Sequence, residues 1–283
     1  MIVLHDELMS KHTTFRIGGP VETMLIPESE DELINTIRDC RAQNQPYRIL
    51  GNGSNLLVSD QGIKECVINN ERACKRLEIK DNDIIYAGSS VKIQLFIRFC
   101  VNHGREGYEY LFSVPAAVGG AIYMNAGRGQ QFNKQISDHL VSVRVFNGVE
   151  VIDIPQSECE FSYRSSIFHK RPHWVILGAY FKPPIQRREE GEAKIKERMK
   201  FTKEVQDYNY PTAGSVFKSV RHELFWLVFG LKSGKAQYSA KTTNWINNMG
   251  GAKAADVLKL IKVVEVLNLL TFKRAIREII CWE

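Results

Sequence analysis

Two glycine-rich segments have the composition of loops whose backbone approaches a ligand closely. The first follows a short apolar run at 47–50, and its two glycines allow the positive φ angles that other residues avoid. Successive amide groups in such a loop form a nest for anions, so a diphosphate would fit. A tight turn between two strands explains the same residues without a ligand and is the stronger interpretation for this segment alone. The segment reads Gly51-Asn52-Gly53-Ser54-Asn55.

The second segment, at 115–127, is too rich in small residues for a simple packed element. Seven of its thirteen residues are glycine or alanine, and no branched side chain lies between Val118 and Ile122. Its backbone must approach either a flat or charged ligand or another backbone. Neither segment has the GxGxxG spacing at the start of a helix, so the sequence does not support a Rossmann dinucleotide site.

Three polar residues follow at positions where chemistry is possible. Arg164 lies among small hydroxyl residues after a strand, where a guanidinium can bind a carboxylate through two hydrogen bonds. Ser215 follows a flexible glycine, so its hydroxyl can project from a turn, and Glu278 enters a C-terminal apolar strand. In isolation each has a simpler interpretation: a surface arginine, a plain turn and a solvated glutamate.

Hydrophobic periodicity predicts an α+β fold, because helices and strands alternate irregularly. A capping box at Ser29–Glu32 starts the first helix, and Asn147-Gly148 indicates a hairpin with a type I′ turn. In the second helix Ile93, Phe96, Ile97, Cys100 and Val101 face inward. The expected elements are helices at 30–43, 90–103, 186–206 and 254–270, strands at 47–50, 64–69, 83–87, 174–181 and 279–282, and the hairpin from 141 to 152.

Composition narrows the class of protein. The formal net charge of +6 suits anionic ligands, but no basic run interleaves with aromatic residues, so we expect no nucleic-acid partner. The six cysteines include no CxxC pair and no metal-ligand spacing, which indicates a reducing compartment and no metal. We therefore expect a cytoplasmic protein, with no signal peptide at its N-terminus and no apolar stretch long enough to span a membrane.

The order of these segments resembles the UDP-N-acetylenolpyruvoylglucosamine reductase family, from about residue 10 to the end of the chain. The glycine segments alone are similar to a wider class of flavoproteins, whereas FSYRSS at 161–166 and AGSVFK at 213–218 are far more specific. The other matching segments are 12–20, LGNGSNLLV at 50–58, VGGAIYMNAG at 118–127, 244–248 and 277–283.

The resemblance implies a two-subdomain FAD-binding fold of the PCMH type, followed by a smaller α+β substrate-binding domain. It implies an FAD-binding domain at 1–185 (subdomains at about 1–70 and 71–185), a charged connecting helix at 186–206 and a substrate-binding domain at 207–283. FAD would be non-covalent, with NADPH as co-substrate and UDP-N-acetylglucosamine enolpyruvate as substrate, in peptidoglycan synthesis. Besides 51–55, the cofactor-binding residues implied are Ala117, Gly119, Gly120, Asn125, Ala126 and Gly127.

The resemblance also assigns three catalytic roles. Arg164 would stabilise negative charge on the substrate carboxylate, Glu278 would assist by donating a hydrogen bond when protonated, and Ser215 would supply the proton that completes the reduction. A protonated carboxyl needs a raised pKa, which burial or a neighbouring carboxylate supplies. Lys218 and Asn244 are the implied substrate-binding residues.

The chain departs from the family pattern at several positions. Ala117 stands where the family usually has threonine, so one hydrogen bond to the flavin is lost. Thr242-Thr243-Asn244-Trp245 replaces a His-Ala-Asn-Phe stretch, and alignment of the C-terminus selects Glu278 over Glu283. Only 51 positions separate Arg164 from Ser215, which resembles the shorter, type II branch that lacks an inserted substrate-covering loop.

Two other hypotheses remain open at this point. One is a different flavin oxidase or dehydrogenase of the same FAD-binding fold, although neither glycine segment contains a histidine or cysteine to tether flavin. The other is a non-catalytic nucleotide-binding module, which would be expected to lack the set of Arg164, Ser215 and Glu278. For the reductase we expect a monomer.

Overall fold

The computed structural model describes residues 1–129 and 132–283. Within them the chain forms five α-helices and sixteen strands, joined by turns and short 3-10 helices. The helices are α1 (Glu30–Ala42), α2 (Ile93–Asn102), α3 (Val118–Tyr123), α4 (Arg188–Val205) and α5 (Ala254–Leu269). The strands are β1 (Ile2–Leu8), β2 (Pro20–Ile26), β3 (Tyr47–Leu50), β4 (Leu56–Val58), β5 (Cys66–Asn69), β6 (Leu77–Ile79), β7 (Ile85–Gly88), β8 (Leu140–Phe146), β9 (Val151–Pro155), β10 (Val175–Phe181), β11 (Phe217–Ser219), β12 (Lys232–Ser233), β13 (Ala236–Tyr238), β14 (Ile246–Asn248), β15 (Ile276–Arg277) and β16 (Ile280–Trp282).

The largest sheet has five strands in the order β6-β7-β10-β8-β9, and every neighbouring pair is antiparallel. A four-stranded sheet has the order β1-β2-β5-β3. Near the C-terminus β11 pairs with β15, and β12, β13 and β14 form a three-stranded antiparallel sheet. The last strand, β16, runs parallel to β4, so the end of the chain pairs with the segment that follows the first glycine loop.

The chain divides into two compact units, each assembled from three segments. The first unit comprises Met1–Val3, Leu25–Gly51 and Val67–Thr202, and the second comprises Leu4–Met24, Asn52–Cys66 and Lys203–Glu283. These units differ from the expected segments, because two N-terminal stretches group with the C-terminal region. Most of α4 lies in the first unit, although we expected a helix that only connects two domains.

Helix α2 shows why periodicity predicted the core of the first unit. Its buried residues are the five apolar ones predicted to face inward, and they pack with β7, β8 and β10 in one hydrophobic cluster. Its first three predicted residues, 90–92, are not helical, because this stretch hydrogen-bonds to the second glycine segment instead. In the second unit α5 spans nearly the predicted range and contributes Val257, Leu260, Ile261 and Val264 to a separate core.

Two local predictions were wrong. The hairpin turn is centred on Gly148-Val149 rather than on Asn147-Gly148, because the Asn147 amide donates to the Glu150 carbonyl. Gly148 has a φ of +99° but Val149, the other central residue, does not have a positive φ, so the turn is not type I′. The second glycine segment, which we expected to be too rich in small residues for a simple packed element, contains the short helix α3.

No helix in the described ranges is long and apolar enough to cross a membrane.

Asp60 joins two distant segments of the second unit by capping α5. Its carboxylate accepts hydrogen bonds from the amides of Ala254 at 2.8 Å and Ala255 at 3.0 Å. These amides belong to the first turn of the helix and have no acceptor within it, and a negative charge also favours the positive end of the helix dipole. The interaction fixes the segment Asn52–Cys66 to the start of α5.

We predict that Asp60→Ala lowers the free energy of unfolding by about 1–2 kcal/mol, because both amides lose their acceptor. Asp153→Ala on exposed strand β9 is the matched control and should change stability by less than about 0.5 kcal/mol. Urea denaturation followed by circular dichroism measures both variants. Equal free energies of unfolding for the two variants would show that water replaces the hydrogen bonds of Asp60 without loss of stability.

Candidate functional site

The second unit brings the backbones of Ser215 and Glu278 together. The Glu278 amide donates to the carbonyl of Val216, the residue after Ser215, at 2.8 Å, and the Ile279 amide reaches the same oxygen at 3.3 Å. Gly214 has a φ of +78°, which turns the chain sharply just before Ser215. Two of the three predicted catalytic residues are therefore held next to each other by main-chain hydrogen bonds.

Asn244 holds the segment after Ser215 in place. Its Oδ1 accepts from the Phe217 amide at 3.0 Å, its Nδ2 donates to the Phe217 carbonyl at 2.7 Å, and its own carbonyl accepts from the Val216 amide at 2.9 Å. The residue is only 6% exposed. Asn244 therefore stabilises the backbone at 216–217. Contact of Asn244 with the substrate stays a prediction, and so does contact of the half-buried Lys218.

Asn55 connects the first glycine segment to Glu278. Its Nδ2 donates to the Glu278 carbonyl at 2.9 Å, and its own carbonyl accepts from the Ile280 amide at 3.0 Å. The parallel pairing of β4 with β16 continues directly from these bonds. Asn55 was predicted to bind the cofactor, but its side-chain amide positions the main chain of a predicted catalytic residue.

The two glycines of the first segment have different functions. Gly53 has a φ of +60°, and a Cβ atom added there would lie 2.1 Å from the carbonyl oxygen of His12. The protein's own backbone therefore requires Gly53, which the sequence had assigned to cofactor binding. An added Cβ on Gly51 would have no atom of the described residues within 4 Å apart from its chain neighbours, so its open side is suited to a ligand. Asn52 and Ser54 are half-buried in the same loop.

In the first unit the second glycine segment is held by residues 89–93. An isolated bridge joins Lys92 to Ala117, and the Gly119 amide donates to the Ser89 carbonyl at 3.0 Å. Burial lowers the pKa of the Lys92 ammonium, and the Glu71 carboxylate acts in the opposite direction. The side chain of Lys92 therefore holds its proton less tightly than an exposed lysine.

The neighbouring glycines of α3 face different surroundings. A Cβ on Gly119 would lie 2.8 Å from the Cβ of Ser89, whereas a Cβ on Gly120 would have no neighbour within 4 Å in the described ranges outside its own helix backbone. Gly119 therefore permits close packing of two backbone segments, and Gly120 borders open space where a ligand can approach. The sequence assigned both residues to the cofactor because it could not distinguish the two faces of α3.

A buried polar network that sequence reasoning missed supports this segment. Asn70 donates from Nδ2 to Ser89 Oγ at 2.8 Å and accepts from Ser90 Oγ at 3.0 Å, and its amide donates to the Leu50 carbonyl at 2.8 Å. Within the first unit it thus links the end of β3, just before Gly51, to the residues that hold Gly119. Each member is a common polar residue, so no sequence signal distinguishes the network.

Asn125 carries a buried acceptor to which no residue at 1–129 or 132–283 donates. Its Nδ2 donates to Gln135 Oε1 at 2.6 Å and to the Ser162 carbonyl at 3.0 Å. Its Oδ1 is buried and has no hydrogen-bond partner among the described residues, although the residue is only 1% exposed. A buried amide oxygen normally has a partner, so this atom is suited to a ligand donor.

Arg164 lies in a tight turn against the second glycine segment. Reciprocal main-chain hydrogen bonds of 3.1 Å between Ser162 and Ser165 close the turn, and Arg164 has a φ of +52°. Its Nη2 donates to the Gly127 carbonyl at 3.0 Å, and its Nη1 lies 3.4 Å from the Asn125 carbonyl. The segment predicted to bind the cofactor therefore orients the guanidinium.

These residues fit an FAD molecule. The open sides of Gly51 and Gly120 let a backbone approach a flat ring or a phosphate, and Asn125 Oδ1 can accept from a flavin N–H. Ala117 is buried and offers no side-chain hydrogen bond, while Ala126 packs at the edge of the core and Gly127 closes against Lys134. Among the described residues no cluster of histidine, cysteine or carboxylates is suited to a metal ion.

Comparison with known proteins agrees with this geometry. Residues 21–150 match the family described as FAD binding domain, and residues 203–267 match the C-terminal domain of UDP-N-acetylenolpyruvoylglucosamine reductase. The reductase of Clostridium tetani is 35% identical over 92% of this chain and 85% of its own length. The chain belongs to the UDP-N-acetylenolpyruvoylglucosamine reductase family.

Other members of the reductase family support the assignment. The reductase of Fervidobacterium nodosum is 35% identical over 93% of this chain and 86% of its own length. The crystal structure of the reductase from Thermus caldophilus superimposes with a TM-score of 0.82 at 30% identity, covering 100% of this chain and 98% of that one. The α+β FAD-binding fold and the flavin oxidoreductase class predicted from the sequence are confirmed.

The two glycines of α3 provide a matched test of the cofactor site. Gly120→Val should lower the FAD content of the purified protein without lowering the melting temperature of the apoprotein, because it fills open space. Gly119→Ala should instead destabilise the apoprotein by about 1–3 kcal/mol, because its Cβ overlaps Ser89. Absorbance at the flavin band and thermal unfolding measure the two properties. Full FAD content in Gly120→Val would show that the side of α3 that carries Gly120 does not contact the cofactor.

A second prediction tests whether Asn55 holds the Glu278 segment. Asn55→Ala removes one hydrogen bond, worth about 1 kcal/mol, so local opening should make the amides at 278–280 exchange about five-fold faster. Hydrogen–deuterium exchange with mass spectrometry measures this rate, and α5 serves as the internal reference. Asn209→Ala, an exposed asparagine of the same unit, is the control. Unchanged exchange at 278–280 would show that Asn55 does not hold this segment.

Proposed function

We propose that the protein reduces UDP-N-acetylglucosamine enolpyruvate to UDP-N-acetylmuramate with NADPH, a step in peptidoglycan and cell-wall synthesis. The observation that carries the proposal is the hydrogen bond from the Glu278 amide to the Val216 carbonyl, which holds a carboxyl residue beside a turn serine. Family membership supplies the reaction class, and the names of the relatives supply the substrate.

Arg164 is suited to the first requirement of this reaction. Hydride addition to the terminal carbon of the enolpyruvyl group leaves negative charge on the neighbouring carbon, and this charge is stable only when it spreads onto the carboxylate. Bound FAD would supply the hydride chemistry, with NADPH as the source of electrons. A guanidinium fixed by the carbonyls of Asn125 and Gly127 would hydrogen-bond the carboxylate oxygens without reorganising.

Ser215 and Glu278 are suited to the second requirement, which is protonation of that carbon. The positive φ of Gly214 and the hydrogen bonds of Val216 fix the position from which the Ser215 hydroxyl projects. A serine hydroxyl is a weak acid, but the carbon it protonates is a strong base, so the transfer is feasible. Glu278 would assist by donating a hydrogen bond in its protonated form.

The positive net charge of the protein suits the ligands of the proposed reaction. NADPH, FAD and the sugar nucleotide are all anionic, and the formal net charge of +6 favours their approach. We propose that the enzyme acts as a cytoplasmic monomer, without nucleic-acid or membrane partners. Six cysteines without a disulfide are compatible with a reducing compartment.

The function predicts a selective effect of Ser215→Ala. NADPH should bleach the flavin absorbance at nearly the normal rate, because no substrate carbon is protonated in that half of the reaction. Recovery of the absorbance with UDP-N-acetylglucosamine enolpyruvate should slow by about a hundred-fold or more, since a positioned acid contributes about a hundred- to ten-thousand-fold. Stopped-flow absorbance measures the two rates separately.

Two further variants sharpen this experiment. Ser215→Cys should recover part of the lost rate because a thiol can donate a proton, and Ser219→Ala, an exposed serine on β11, should behave as the wild type. Equal slowing of both half-reactions in Ser215→Ala would indicate a distorted site, and the proton-donor role would be withdrawn. A wild-type holoprotein that never reoxidises with this substrate would contradict the proposed function itself.

A further inference from the structure

We infer that Arg128 binds the diphosphate of the sugar nucleotide, an inference that rests on the proposed function. Arg128 follows Gly127, whose carbonyl accepts the hydrogen bond from Arg164 Nη2 at 3.0 Å. Gly127 therefore orients the guanidinium of Arg164, which we propose holds the substrate carboxylate. Arg128, the next residue, provides a second guanidinium in the same loop.

The Arg128 guanidinium lies close to two aromatic rings. Its Cζ is 4.2 Å from the ring centroid of Phe132 and 5.4 Å from that of Phe201, so both rings contribute cation–π contact to the half-buried arginine. The Arg128 amide donates to the Lys134 carbonyl at 3.1 Å, which fixes the backbone from which the side chain extends. The position of the cation is thus set before any ligand arrives.

The charge of Arg128 has no carboxylate partner in the described part of the chain. It makes no ion pair with the residues at 1–129 and 132–283, and its buried Nε has no hydrogen-bond acceptor among them. Arginine has five N–H donors and no acceptor, so a buried guanidinium normally places its N–H groups on carboxylates or carbonyls. Gly129, the next residue, has a φ of +113°, and an added Cβ would have no atom of the described residues within 4 Å beyond its chain neighbours.

The chemistry of the group selects the ligand. A guanidinium in cation–π contact with aromatic rings retains N–H donors in its plane, and this planar fork matches the oxygens of a phosphate. The proposed substrate carries two separate anionic groups, the enolpyruvyl carboxylate and the nucleoside diphosphate. Arg164 is suited to the carboxylate, and Arg128 is suited to the diphosphate.

Binding of UDP alone tests this assignment with a readout that does not depend on turnover. Calorimetric titration of the holoprotein should show UDP binding about ten- to a hundred-fold more weakly to Arg128→Gln than to the wild type, as expected when hydrogen bonds to a charged group are lost. Uridine, which has no phosphate, should bind both proteins equally. In steady state, KM for the sugar nucleotide should rise about ten-fold or more with kcat within about three-fold.

Control variants separate a direct contact with phosphate from a general loss of charge or of aromatic stacking. Arg198→Gln is the matched control, because Arg198 stacks on the same Phe201 ring at 5.7 Å but hydrogen-bonds to Ser113 at 3.1 Å, and it should bind UDP like the wild type. Arg128→Lys keeps the charge but not the planar fork and should recover part of the affinity. Melting temperature and FAD content should be unchanged in Arg128→Gln.

The outcomes distinguish the inference from the function on which it rests. Wild-type affinity for UDP in Arg128→Gln, with the wild type active, would overturn the inference and leave the reductase function intact. Loss of FAD from Arg128→Gln would also overturn it, because the arginine would then bind the cofactor diphosphate. A wild-type holoprotein that binds UDP but does not reduce the enolpyruvyl substrate would contradict the proposed function instead.

Discussion

The hydrogen bond from the Glu278 amide to the Val216 carbonyl is the interaction on which the candidate site of the second unit depends. It joins the segment at 216 to the segment at 278. Each of these two segments makes further hydrogen bonds to an asparagine side chain. Asn244 clamps Phe217 on one side, while Asn55 holds the Glu278 carbonyl on the other. Because these hydrogen bonds act on the main chain, they do not involve the side chain of Ser215 or of Glu278.

The same arrangement recurs in the first unit with different residues. There Asn125 holds the Ser162 carbonyl through its side chain, and the turn that carries Arg164 rests on the carbonyls of the second glycine segment. In each unit, the side chain of an asparagine from a glycine-rich segment donates a hydrogen bond to a backbone carbonyl at or near a predicted catalytic residue. Residues predicted to bind the cofactor therefore also hold the backbone beside the predicted catalytic residues, so a change in one set is expected to affect the other.

The sequence predicted what depends on local pattern and missed what depends on distant contacts. The inward face of α2 and the range of α5 followed from apolar spacing, and Ser29 caps α1 as its position suggested. By contrast, the requirement for glycine at 53 comes from the carbonyl of His12, and the cap of α5 comes from Asp60, nearly two hundred residues away. The candidate catalytic residues were found through resemblance, because each is an ordinary residue in isolation.

The discontinuity of the second unit has a consequence for synthesis of the chain on the ribosome. Leu4–Met24 and Asn52–Cys66 are made before most of the first unit, but the rest of the second unit begins only at Lys203, and the strand that pairs with β4 follows later still. At about 5–20 residues per second, the early segments wait for many seconds without their partners. The first unit, complete at Thr202, can fold during that interval, whereas the second cannot be completed until β16 has been made. Ribosomes that stop early therefore release chains whose apolar β4 has nothing to pair with.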